Sequence, residues 1–267
     1  MLNKLLVPLD GSATSERALA PAFNLARPHK AQVILLHSLI PVYTMPPVTA
    51  GENAWVLPES TRETSRRQAA GYLASLAEAH ANEGVELRTL LVEGDEAAVI
   101  LNAAEAEGVA MIVMSAFGYS GTSRWSMGSV TEKVLHGAPC PVLVMRTAGP
   151  IREIVVTLDG SELAETALEP ALGIACALNA RVTLLRVSRP PVQPPQAAYM
   201  EWVHSDLNER LEANLQSGAA HYLREVAEDY ADMQPGGRPI ATVVSQGPAV
   251  DEILDYVAAH NVDLIAL

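Results

Sequence analysis

The sequence predicts an α/β protein of two tandem domains. Each is a doubly wound parallel sheet forming a five-stranded α/β sandwich, the second without its last helix and strand in this chain. Three observations predict it. Short apolar runs alternate with helical patterns, the signature of a parallel sheet with helical crossovers. The chain also contains one unit twice. Residues 4–38 lie over 153–187 at a constant offset of 149, with 15 identities in 35 ungapped pairs. Residues 94–114 lie over 247–267 at an offset of 153, with six identities in 21. Two copies of one unit imply two domains of like fold. Finally, 267 residues, 49% hydrophobic and 18% charged, suit two small folded domains. The domains are expected at 1–148 and 149–267. Thr147-Ala-Gly-Pro150 is a linker short enough to favour packing of the two domains on each other.

The elements follow in order. Residues 5–9 are a continuous apolar run, as in a strand buried on both faces. Asp10-Gly-Ser12 ends it as a turn. Residues 15–25 place Ala18, Leu19, Ala22, Phe23 and Leu25 at helical spacing. Residues 32–36 form a second buried strand. Residues 65–82 are an Ala-rich amphipathic helix ending at Gly84, and 85–92 a third strand. Residues 97–107 form a helix closed by Gly108, and 110–114 a fourth strand. Residues 129–136 form a helix closed by Gly137, and Val142–Met145 a fifth strand. Pro-rich inserts at 41–60 (with Trp55) and 189–199 follow the second strand of each copy. Long inserts of this kind serve as lids, partner surfaces or mobile surface loops. The shift of offset puts a net insertion of four residues between the two matching blocks of the second copy. That copy runs out at 262–267, which aligns with 109–114. The following loop, helix and strand have no counterpart, so a phosphate site is expected in the first copy alone. A sheet lacking its fifth strand presents an edge.

Composition excludes several function classes. There are 18 basic and 31 acidic residues, a net charge of −13. Residues 1–149 carry 11 basic and 14 acidic groups, and residues 150–267 carry 7 and 17. Neither half has the basic footprint of a nucleic-acid binder or of a protein drawn to anionic membranes. Cys140 and Cys176 lie far apart, without metal-ligand or disulfide-framework spacing. The apolar start is too short for a signal-peptide core, and no run of 18 apolar residues occurs. A cytoplasmic protein is expected. The seven histidines show no paired-ligand spacing, and no Walker A, Gly-x-Gly-x-x-Gly or Gly-x-Ser-x-Gly pattern appears. His37, at a strand end, reads as a satisfied polar residue. No activated nucleophile or paired general base is visible.

One loop carries chemistry. After the fourth strand comes Met114-Ser-Ala-Phe-Gly118, and further on Gly128-Ser-Val-Thr-Glu132. Ser129 followed three residues later by Glu132 is a capping-box pattern, marking a helix N-terminus whose N–H groups receive phosphate. Gly118 and Gly128 let a ligand approach the backbone. Two readings stand: a phosphate cradle, or an ordinary glycine-containing loop with a capped helix. Asp10 likewise reads as a ligand for ribose hydroxyls or for a metal on phosphate, or as a helix N-cap.

These residues together resemble the universal stress protein family. Leu5-Leu-Val-Pro-Leu-Asp-Gly-Ser12 is similar to that family's first strand and turn. Leu35-Leu-His-Ser38 is similar to the end of its second strand. Gly128 through Met145 is similar to its fourth helix and fifth strand. The resemblance covers both halves apart from the Pro-rich inserts. Its nucleotide-binding branch carries Gly-x-x-Gly, nine residues, then Gly and Ser or Thr. Here Ser115 stands where that pattern has its first glycine, and Gly118, Gly128 and Ser129 keep the rest. The resemblance implies that Pro8, Leu9 and Asp10 border adenine and ribose, with Ser38 at the adenine. Met114 and Ser115 continue that wall, and Gly118, Gly128, Ser129 and Val130 take the phosphates. Arg124, in the same loop, reads either as a phosphate contact or as a solvated side chain. The implied function is a regulatory protein of the stress response that binds ATP, with magnesium, in its first domain. The alternative is a scaffold of the same fold that binds no nucleotide, as Ser115 and the incomplete second copy favour. Domain pairing and a homodimer are implied as well, with Val142–Met145 as the contact.

Overall fold

The computed structural model describes residues 2–40, 43–44, 55–56, 59–118, 127–147, 149–188 and 201–267. Most of both Pro-rich inserts, and Arg124, lie outside these residues. The chain divides into two compact units, Met1–Gly149 and Pro150–Leu267.

In the first unit β1 (Lys4–Leu9) leads through a 3₁₀ turn (Ser15–Ala18) into α1 (Leu19–His29) and β2 (Gln32–Leu39). A two-residue antiparallel pair follows, β3 (Tyr43–Thr44) with β4 (Trp55–Val56). Then come α2 (Glu59–Ala79), β5 (Glu86–Glu93), α3 (Glu96–Glu107), β6 (Met111–Ser115), α4 (Ser129–Gly137) and β7 (Val142–Met145). The main sheet has the order β5-β2-β1-β6-β7, with every pairing parallel. The chain winds outward from β1 through β2 to β5, then returns to β6 on the other side of β1. That reversal opens a crevice at the carboxyl ends of β1 and β6.

The apolar strand runs explain the layers. In a strand, alternate side chains face opposite sides. Leu6, Ile34, Leu36, Ile112 and Met114 form one core with α3 and with Val134 of α4. Their strand neighbours Leu5, Val7, Val33 and Leu35 are fully buried on the other face, where α1 and α2 pack. No helix of the described residues is long and apolar enough to cross a membrane.

Helix boundaries differ from the sequence pattern for local reasons. The expected helix at 15–25 opens as a 3₁₀ turn. Ser15 and Ser12 exchange short-range bonds there, Ser15 N to Ser12 Oγ at 3.1 Å and Ser15 Oγ to Ser12 O at 2.9 Å. α1 then runs on to His29, where Lys30 takes a left-handed conformation at φ 51°. α2 starts six residues before the expected position and ends three residues short. Gly108 closes α3 at φ 59°, as the pattern predicts. Gly137 is the last residue of α4 and has no positive φ, and Ala138 caps the helix. A Cβ on Gly137 would press to 2.9 Å from Leu101 Cδ1, so this glycine sets the approach of α4 to α3.

The second unit contains β8 (Glu153–Thr157), α5 (Glu162–Glu165), α6 (Leu168–Leu178), β9 (Arg181–Ser188), α7 (Glu201–Asp229), β10 (Ala241–Gln246), α8 (Ala249–His260) and β11 (Leu264–Ala266). Its sheet is parallel, four-stranded and ordered β10-β9-β8-β11. The two copies share strand register. Leu5 pairs with Val33 and Ile154 with Val182, each pair 149 apart between copies. Leu36 pairs with Leu90 and Leu185 with Val243, where the second partners differ by 153. The inserted residues therefore all fall between β9 and β10. Tyr72 and Tyr222 make the same bond to Glu16 and Glu165, at an offset of 150. One extra residue thus lies between β9 and Tyr222, and three between Tyr222 and β10.

Candidate nucleotide site

The described residues of the first unit enclose an open cleft of about 260 Å³ at the sheet reversal. β1 supplies Pro8 and Leu9, and the turn after it Asp10. β2 supplies Leu36 and Ser38. β6 supplies Met114 and Ser115, followed by Phe117 and Gly118. Gly128, with Ser129, Val130 and Thr131 of α4, forms the far wall. All ten residues singled out from sequence therefore border one cavity. Ser15, Leu36, Glu96, Ile100, Phe117 and Thr131 join them without having been foreseen.

The turn after β1 is shaped by its own side chains. Asp10 Oδ1 accepts the Ser12 N–H at 2.9 Å and the Ser12 hydroxyl at 2.6 Å. Gly11 completes the turn at φ 83°, a conformation costly for other residues. Asp10 therefore folds its own loop as well as facing the cleft.

Gly118 and Gly128 are glycines for space, not for backbone angle, since neither has a positive φ. A Cβ on Gly118 would collide with the Asp10 carboxylate. A Cβ on Gly128 would lie 3.3 Å from Ala116 O, the oxygen that already accepts the Gly128 N–H at 2.9 Å. Gly118 is thereby held close to the turn after β1, and Ala116 close to the start of α4.

The capping box expected from Ser129 and Glu132 does not form. α4 begins one residue earlier than a Ser129 cap requires. Gly128 is the N-cap, at φ −64° and ψ 143°, and it has no side chain to close the helix end. The first intrahelical bond runs from Glu132 N to Gly128 O at 3.0 Å. The N–H groups of Ser129, Val130 and Thr131 thus have no intrahelical acceptor. The Thr131 hydroxyl is committed elsewhere, donating to Ser115 O at 3.1 Å. The helix end holds partial positive charge with its amides on the cleft wall, which suits an anion better than the expected cap does.

Ser115 is 6% exposed. Its Oγ accepts the Phe117 N–H at 3.4 Å, so the hydroxyl is turned along its own strand end. On the other side His37 Nδ1 lies 2.8 Å from Leu9 O, consistent with a satisfied strand-end residue. The His37 ring meets Tyr72 edge-on at 5.8 Å between centroids, and the Tyr72 hydroxyl donates to Glu16 at 3.0 Å. Burial, and then the bond to Glu16, hold the Tyr72 phenol protonated far above its ordinary range. Tyr72 is a strut between α2 and the β1 turn. Burial also pushes the Cys140 thiol up, as befits a packing residue. Among the described residues no group of three His, Cys, Asp or Glu side chains is placed to hold a metal by itself. The described lining carries two carboxylates, Asp10 and Glu96, and no basic side chain.

Two consecutive parallel α/β units, the first with a crevice at its sheet reversal, define a tandem doubly wound α/β protein. The family model described as "Universal stress protein family" matches residues 1–146 and again 150–267. The chain belongs to that family and carries its unit twice. It is 31% identical over 150 residues to the universal stress protein YxiE of Bacillus subtilis, covering 55% of this chain and all of that one. It is 34% identical over 147 residues to a universal stress protein of Thermus aquaticus, again covering 55% of this chain and all of the relative. Among solved structures, a universal stress protein from Archaeoglobus fulgidus superposes with a TM-score of 0.67 at 19% identity. It covers 99% of this chain and 86% of its own. A putative one from Pseudomonas aeruginosa gives 0.68 at 20% identity, covering 99% and 81%. At these identities the structures speak for the fold across both units.

Proposed function

We propose that the first unit binds ATP in the cleft at its sheet reversal, and that the protein is a nucleotide-responsive regulator in the stress response. The observation that carries this reading is the open N-terminus of α4. Its amides line the same cavity as the end of β1, and Gly118 and Gly128 belong to that lining. Phosphates sit against the amides of Gly128, Ser129 and Val130. Asp10 faces the ribose, while Pro8, Leu9, Ser38, Met114 and Ser115 surround the base and sugar. The described lining offers two carboxylates and no cation, so magnesium accompanying the phosphates offsets the repulsion. Nucleotide binding that favours one arrangement of the cleft walls then biases what the protein presents to partners. The candidate partner surface is β7, an edge strand of the first sheet, for pairing between the two domains or between two copies of the chain in the cytoplasm.

A second reading has an observation of its own. Ser115 puts a hydroxyl where the nucleotide-binding pattern of the family has a glycine, and this favours a scaffold indifferent to nucleotide. Mass spectrometry of small molecules released from the denatured, freshly purified protein separates the two. ATP at about one per chain, lost in Gly118→Val through collision with Asp10, is the expected result. Absence of nucleotide, with no thermal shift on adding ATP and magnesium, leaves the scaffold.

A further inference from the structure

Glu96 is the cleft carboxylate to which the nucleotide reading assigns no task. It is the first residue of α3 and is half-buried. Helix capping falls to its neighbour: Asp95 accepts the Ala98 N–H at 3.1 Å. Among the described residues Glu96 has no hydrogen bond or ion pair. A carboxylate partly withdrawn from water without a partner is costly, and it is relieved by whatever donor enters the cleft.

The topology says which part of a nucleotide that donor belongs to. The Ser38 hydroxyl donates to Gly94 O at 3.0 Å, and the Gly94 N–H donates to Leu39 O at 3.0 Å. These bonds tie the turn before α3 to the end of β2, so Glu96 stands on the β2 side of the cleft. The open amides of α4 stand on the β6 side, and Asp10 at the end of β1 lies between. Strands are spaced about 4.8 Å apart, so β2 and β6 are on the order of 10 Å apart. That is the scale of the step from a nucleobase, across ribose, to the first phosphates. With phosphates at α4, the base meets Glu96.

The hydrogen-bonding character of that end is one-sided. The Ser38 proton is spent on Gly94 O, which leaves its oxygen as an acceptor, and an ionised Glu96 only accepts. The neighbouring Leu36, Ile100 and Met114 are apolar. Among the described residues, the side chains at the base end therefore offer acceptors and no donor. We infer that Glu96 is a specificity-determining residue that reads the exocyclic amino group of the base. The inference rests on the nucleotide reading above and deepens it. A base lacking the amino group leaves the carboxylate desolvated and unpaired, the situation in which a site discriminates most strongly.

The test is titration calorimetry on the full chain with magnesium. It compares ATP with purine riboside 5′-triphosphate, which differs by the 6-amino group alone. The unaltered protein is expected to bind ATP about tenfold or more tightly than the analogue. Glu96→Ala is expected to bring the two within about twofold of each other. Glu96→Gln, which keeps the shape but not the charge, is expected to retain a reduced preference. Melting curves of both variants check that the first unit remains folded. Equal affinities in the unaltered protein, or a preference that survives unchanged in Glu96→Ala, overturn the role of Glu96 alone. If neither triphosphate binds the unaltered protein, the ATP reading fails and this inference with it.

Discussion

The two units share their turns and differ in their walls. Asp10 and Asp159 each accept the N–H of the serine two residues on, at 2.9 Å in both copies. Tyr72 and Tyr222 each donate to a glutamate in the first helical segment of their unit, at 3.0 and 2.7 Å. Both phenols are held protonated far above the ordinary range, by burial first and then by the glutamate. Where the first unit has His37 against Tyr72, the second has Arg186 over the Tyr222 ring at 4.8 Å. The guanidinium covers Gly160, so a Cβ there would lie 3.0 Å from it, whereas the matching Gly11 has open space. α3 buries five residues and α8 none. In the first unit α4 packs on α3 and β7 extends the sheet, and the described second unit has no counterpart of either. Features present in both copies are thus candidates for scaffold, and features of the first alone are candidates for the site. Asp10 belongs to both sets, since it holds its own turn as Asp159 does and also lines the first unit's cleft. Gly118, Gly128 and the open end of α4 belong to the candidate site.

The sharpest test of that division is in the core. Ile100 is 3% exposed, while its equivalent Ile253 is only partly buried. Ile100→Ala should cost the first unit about 2–5 kcal/mol, and Ile253→Ala less than about half of that. Amide hydrogen exchange followed by mass spectrometry reads each unit separately. Equal losses would break the comparison, because α8 would then be as well covered as α3.

The next effect is on binding. Asp10→Asn should weaken ATP about tenfold by calorimetry, and Asp159→Asn should leave the affinity unchanged. If Asp159→Asn weakens ATP as much, the second unit takes part in binding and the assignment to one unit falls.

The smallest effect belongs to the shared strut. Tyr72→Phe and Tyr222→Phe should each cost their own unit about 0.5–1.5 kcal/mol by the same exchange measurement. A large loss in one and none in the other would mean that the bond is maintained for different reasons in the two copies.

The strands were legible because buried parallel strands are written as unbroken apolar runs, here 5–9 and 32–36, and because the repeat showed each run twice. Helix starts were less legible. Ser129 at the first helical position and Ser129 as a cap look identical in sequence. Only the backbone angles of Gly128 tell them apart. The 3₁₀ opening at Ser15 depends on bonds between two serine side chains that no periodicity records. The wall of the cleft was legible where short motifs carry it, as at Asp10, Gly118 and Gly128. Glu96 was not, because its place depends on the turn before α3 being tied to the end of β2, a contact between residues 56 apart in sequence.

The common register has a consequence for how such a chain changes over time. Leu5 and Ile154, Leu36 and Leu185, Leu90 and Val243 occupy the same rungs of their sheets. A one-residue slip within any strand would turn its whole buried set toward the wrong layer. Length differences between the matching blocks of the two copies fall between β9 and β10, outside the strands. Recombination between the two halves of the gene within β1 and β8, or within β2 and β9, therefore joins segments whose inward and outward side chains already agree. A graft across such a junction inherits a sheet whose register already fits.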